Sequence, residues 1–249
     1  MIDVSMALKN RIQRFMQAYT TTTVAAYAGD KTLTGTPAEV AYFDVIGLTK
    51  SNPKIGILPA DGNTVVFNKI HSVDRDAGTI QLTSPLAIDV PLGSVVKRTP
   101  GWTEINTIIL GDVEVVNNFP AIIISPNSMQ REFRTLGVGT NEVFNINIGL
   151  YVMEDGHENS MLTLMGATQE LDDLLMADLH LPIPTVPGGQ PGYATQSKVS
   201  SINYTYVQKG SSFIKGAELS WEATTFIIRH LVSQSVDYGH FYYYPGDPF

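Results

Sequence analysis

The sequence predicts an α+β fold in which a mixed or antiparallel sheet is flanked by helices and carries an inserted small β-barrel or β-sandwich lobe. Three observations predict it. An amphipathic helix opens the chain. Residues 29–101 are rich in Gly, Pro, Thr and Asp and hold only short apolar runs. After Trp102, strand-like alternation and one long helical stripe return. A chain of 249 residues can bury a substantial core. The expected division is a core of residues 1–28 and 102–249, with 29–101 as the inserted β-rich domain.

The first helix is predicted over 4–19. Val4, Leu8, Ile12, Phe15, Met16 and Tyr19 recur at spacings of three and four and share one face, with Lys9, Arg11 and Arg14 off it. The run Thr20-Thr21-Thr22-Thr23 ends the helix, because β-branched threonine favours extended chain. The insertion then offers Val65-Val66-Phe67, Ile80-Gln81-Leu82 and Val95-Val96 as short strands. Turns are expected at Asp61-Gly62-Asn63, within Asp74–Ile80 as a hairpin, and at Pro91-Leu92-Gly93. Thr99-Pro100-Gly101 punctuates its exit.

Beyond it, Phe119-Pro120-Ala121-Ile122-Ile123-Ile124 predicts a buried strand, and Ile146, Ile148, Leu150 and Val152 alternate as on a half-buried one. Asp155 and Glu158 have the spacing of a capping box. The helix they open lines up Met161, Leu164, Met165, Thr168, Leu171, Leu175 and Leu179 and stops before Pro182. Residues 181–192 hold four prolines and three glycines, which predicts a long exposed loop. Two strands follow, one alternating through Ile202, Tyr204 and Tyr206, the other through Ala217, Leu219, Trp221, Ala223 and Thr225. The chain closes on the aromatic run Phe241-Tyr242-Tyr243-Tyr244 and on Phe249, interspersed with prolines.

Composition narrows the function. Only 16% of residues are charged, against about 25% in an average protein. The net charge of -8 opposes tight nucleic-acid binding, which needs clustered Lys and Arg. With no cysteine there are no disulfides, thiolate nucleophiles or Cys-based zinc sites. No apolar run approaches the roughly 20 residues that span a bilayer, and Met1-Ile2-Asp3-Val4 does not resemble a secretory leader.

Candidate chemistry is thin. Asp74-Arg75-Asp76-Ala77-Gly78 lacks the ligand count of a calcium loop and fits a hairpin turn better. Asp172 and Asp173 are adjacent on a helix and diverge by about 100°, so they are expected to be solvated or singly paired. His71, His157, His180, His230 and His240 share no ligand spacing. Gly137-Val138-Gly139 has no third glycine in phase. No catalytic, cofactor or metal residue is assigned. A soluble hydrolase acting through His157 or Asp172 is the rival reading from another class.

Two segments suggest partners instead. Pro182, Pro184, Pro187 and Pro191 stiffen the 181–192 loop and lower the entropy lost on docking. Tyr242, Tyr243, Tyr244 and Phe249 expose apolar area unless something covers it, either a partner or the chain's own domain.

The order of segments resembles the tail-terminator and neck proteins of tailed bacteriophages. The resemblance rests on the first helix, the 119–124 strand, the Ile146–Val152 strand, the Leu164–Leu179 helix and the strand pair 199–207 and 218–228. It covers residues 1–27 and 102–249 by pattern; Asp76–Leu86 also resembles small β-domains inserted in phage structural proteins. It implies a homo-oligomeric ring, commonly a hexamer, in the virion neck, assembled in the host cytoplasm. Such a ring ends the tail tube, meets sheath and head-connector proteins, and lets the genomic DNA pass without holding it. It implies neither cofactor nor membrane. A head-closure or other connector role is the nearest alternative.

Overall fold

The computed structural model describes residues 2–44, 53–112, 116–134, 139–153, 157–177, 182–183, 192–209 and 212–227. Its architecture is α+β, with two six-stranded sheets and three α-helices among the described residues. Helix α1 (Ile2–Met16) buries Val4, Leu8, Ile12 and Met16, as the periodicity requires. It ends earlier than its apolar stripe. Tyr19 is exposed and begins strand β1 (Tyr19–Thr21), because extended pairing takes over where the threonine run starts. None of the described helices is long and apolar enough to cross a membrane.

The first sheet curls into a half-barrel. Its strands are β1, β2 (Thr32–Thr34), β3 (Lys54–Leu58), β4 (Val66–Asp74), β5 (Thr79–Leu82) and β6 (Val95–Arg98), ordered β1-β6-β3-β4-β5-β2 and antiparallel throughout. Just past β1, the Thr23 N–H donates to the Thr34 carbonyl in β2 at 2.8 Å and draws the two edges together. Inside sit Leu33, Ile55, Ile57, Ile70, Ile80, Leu82, Val90 and Val96. A short helix α2 (Pro37–Val40) and the 3-10 turn Ala41–Phe43 supply Val40 and Phe43 to the same core. The β4–β5 hairpin turns where the sequence places it. Asp74 Oδ1 accepts the N–H groups of Asp76 and Ala77 at 3.0 and 2.9 Å, an Asx turn that explains these acids without calcium. Residues 19–26 belong to this sheet too, through β1 and the Ala26–Val90 bridge.

The second sheet comprises β7 (Thr107–Leu110), β8 (Ala121–Arg134), β9 (Gly139–Val152), β10 (Pro182–Ile183), β11 (Gly192–Lys209) and β12 (Ser212–Ile227), ordered β10-β11-β12-β9-β8-β7. Only β7 and β8 run parallel. Four of these strands have 14–18 residues, well beyond the usual 3–10. Pro126 falls where β8 has outrun β7 and a register shift relaxes the ladder, a place that tolerates its missing N–H.

Helix α1 and helix α3 (His157–Ala177) cover one face of this sheet. Ile146, Ile148, Leu150 and Val152 lie opposite Trp221, Leu219, Ala217 and Lys215 in register, and the alternating apolar set is buried as expected. In α3, Leu164, Thr168, Leu171 and Leu175 are buried, but Met165 is largely exposed. It sits one residue, about 100°, off the stripe's centre. Tyr204 and Tyr206 are exposed as well, while Ile202 packs at the edge of the core.

Candidate functional site

The site is built where the two sheets meet. The Thr99-Pro100-Gly101 punctuation is no exposed linker; it forms a tight turn packed against α3. Gly101 has φ +63, and a Cβ there would fall 2.2 Å from the Thr163 carbonyl oxygen and 2.7 Å from the Ala167 nitrogen. Only glycine lets helix and turn approach so closely.

Glu170, on α3, ties the junction. Its Oε2 accepts from Arg98 Nη2 at 2.9 Å and its Oε1 from Lys54 Nζ at 2.8 Å and from the Gly101 N–H at 3.3 Å. Arg98 and Glu170 are fully buried. Burial pushes the Arg98 guanidinium down from its ordinary pKa, and the Glu170 charge pulls it back up.

The next residue, Trp102, also has a left-handed backbone at φ +73, a conformation that costs a bulky side chain about 1–2 kcal/mol. Its N–H donates to the Thr99 carbonyl at 2.8 Å. The turn lays the indole over the outer face of the half-barrel, edge-to-face with Phe67 at 5.9 Å between centroids. The ammonium groups of Lys54 and Lys69 stand 5.6 and 5.7 Å from the indole centroid. Gly56, Leu58, Val65, Val95 and Lys97 complete a cleft of about 260 Å³. Trp102 is 42% exposed and Phe67 49%, so two large rings face outward, the first of them on a strained backbone. Strain of this kind is a pointer to function rather than to stability.

This is an aromatic, apolar cleft with cations at its rim, suited to gripping a chain segment. Thr99, Thr103 and the Lys97–Glu104 ion pair, 2.8 Å across, also line it, and among the described residues no cluster of three or more His, Asp or Glu is disposed to hold a metal ion.

The residues singled out from sequence fare differently. Pro182 lies in the edge strand β10, paired with Tyr193 of β11, so the 181–192 segment begins as a strand and not wholly as a loop. Pro184, Pro187 and Pro191 lie outside the described residues, as do Tyr242, Tyr243, Tyr244 and Phe249. His157 opens α3 with its side chain outside the described set, and His71 is exposed on β4. Asp172 and Asp173 are half-buried, not fully solvated; burial first, then the Asp173 charge, raises the Asp172 pKa.

Sequence reasoning missed Lys54, Phe67, Arg98, Trp102 and Glu170. One signal was available: Ala167, Glu170 and Leu174 follow helical spacing, which puts an acid on a buried face. Neither a protein-family model nor a curated protein matches the sequence.

Proposed function

We propose that this chain is a virion structural protein, a subunit of a homo-oligomeric ring in the neck of a tailed bacteriophage. The ring ends the tail tube and joins it to the head connector, and the genome passes through its lumen. The observation that supports this most is the one-sided second sheet. Helices cover one face; the other buries a small apolar cluster of Ala121, Ile123, Tyr151 and Ile214 at one end and beyond it carries Ser125, Ser128, Asn145, Asn147, Glu218, Ser220 and Glu222.

Beyond that cluster the face is polar, and among residues with described side chains its cation is paired. Lys198 sits there 3.1 Å from Glu222, and Glu218 accepts a hydrogen bond from the Tyr151 hydroxyl. A neutral-to-acidic wall forms no lasting pairs with phosphates, so a duplex moving past it is not retarded. The helix-clad side is then left for the outside of the ring, and the 181–192 segment for contacts between neighbours.

A native mass measurement of the purified chain tests the reading. Closed multimers of one size, with hexamers expected, support it. A chain that remains monomeric alone and also fails to join purified heads and tails contradicts it.

A further inference from the structure

The Trp102–Phe67 cleft exposes a contiguous apolar surface. Val65 and Leu58 border the two rings and are themselves partly exposed. Its cations are unequal. Lys54 is engaged by Glu170 and Lys97 by Glu104, at 2.8 Å each, whereas Lys69 has no ion pair among the described residues. An occupant should therefore be extended, aromatic and mildly acidic, with little conformational entropy to lose.

One segment of this chain has that chemistry. Residues 241–249 carry five aromatic side chains, two prolines and Asp247. Proline fixes φ near the polyproline value, so such a segment is partly pre-organised for an aromatic-lined groove. It can also reach. Thirteen residues separate it from Ile227, the last residue of β12, and could span up to about 45 Å. That is comparable to the length of β9, about 45 Å at 3.3 Å per residue. A tether of this length gives an effective concentration on the order of millimolar, which favours the chain's own segment over a neighbour's.

We propose that the Trp102–Phe67 cleft is a receptor for residues 241–249 of the same chain, with the tyrosine and phenylalanine rings against Trp102, Phe67, Val65 and Leu58 and Asp247 beside Lys69. The sequence leaves open whether the aromatic run meets a partner or its own domain; the cleft favours the second. A nucleic-acid strand fits less well, since it needs several uncommitted cations along its path. The proposal does not depend on ring formation.

The test uses the full chain. Trp221 is buried, so quenching of tryptophan fluorescence by acrylamide reports mainly Trp102. In the native chain Trp102 should be shielded. A full-length variant with Tyr242, Tyr243, Tyr244 and Phe249 replaced by Ser should melt at the same temperature yet quench severalfold more readily. A synthetic peptide of residues 241–249 should restore the shielding, and Lys69→Glu should weaken that peptide by up to about fivefold. Equal quenching in native chain and variant would overturn the proposal. So would shielding that appears only at self-associating concentrations, or shielding by a single-stranded oligonucleotide but not by the peptide.

Discussion

Two residues at the junction set opposite demands on the backbone. Gly101 must be glycine because α3 fills the space of its Cβ, whereas Trp102 holds a glycine-like φ of +73 with the largest side chain available. If the strain belongs to the backbone and the indole serves the cleft, Trp102→Gly should be more stable than Trp102→Ala by about 1–2 kcal/mol, measured by urea unfolding. Equal stabilities would mean that the turn relaxes freely.

The neighbouring ion cluster makes a second prediction. Glu170→Ala leaves Arg98 charged and buried without its partner and should cost about 3–5 kcal/mol. The double change Arg98→Met, Glu170→Met should cost less than that single one, because Lys54 can turn toward solvent. Additive losses would contradict the pairing. Helical spacing marks Glu170 as an acid on a buried face, but neither its partners nor the place of Trp102 could be assigned from sequence. Arg98 and Glu170 are 72 residues apart, and only the packing of α3 against the half-barrel brings them together.

Tyr151 carries a pH signature. Burial, reinforced by Glu218 and Asp112, pushes its hydroxyl up to about 12. The sign follows from linkage. With the folded pKa above the ordinary value of 10.0, its contribution to stability is complete below that value and is lost as pH rises through about 12. Tyr151→Phe should therefore flatten the fall in melting temperature across that interval.

Among elements, those written by local periodicity were the legible ones. The Ile146–Val152 alternation and its partner through Ala217–Thr225 face the core because period-two burial is a property of the strand itself. Leu150→Ala should accordingly cost about 2–5 kcal/mol by chemical denaturation, and a loss below about 0.5 would mean the face is misassigned. Element ends were less legible. Tyr19 continues the α1 stripe in spacing, yet it pairs with Lys97 of β6, a partner that no local pattern names. Met165 shows the same limit from the other side, since an apolar residue beside a stripe need not lie on it.

On the scale of the whole molecule, the half-barrel and the helix-clad sheet are joined by α1 as well as α3. Arg14 stacks over the Tyr42 ring at 4.4 Å and donates to its hydroxyl at 3.1 Å, and Arg11 donates to the Leu174 carbonyl at 3.2 Å. The turn at Thr99–Trp102 is therefore the keystone of a packed junction, although in sequence it has the composition of a linker. We propose that such bodies assemble into a ring whose polar sheet face looks onto the lumen. Electron microscopy of the purified chain across a range of concentrations tests it most directly. The expected result is closed rings of a single symmetry around an open channel wide enough for a DNA duplex, with a label at exposed Asn147 facing that channel. Separate globular particles at every concentration that also fail to join purified heads and tails, or rings that carry the Asn147 label on their outer rim, would contradict it.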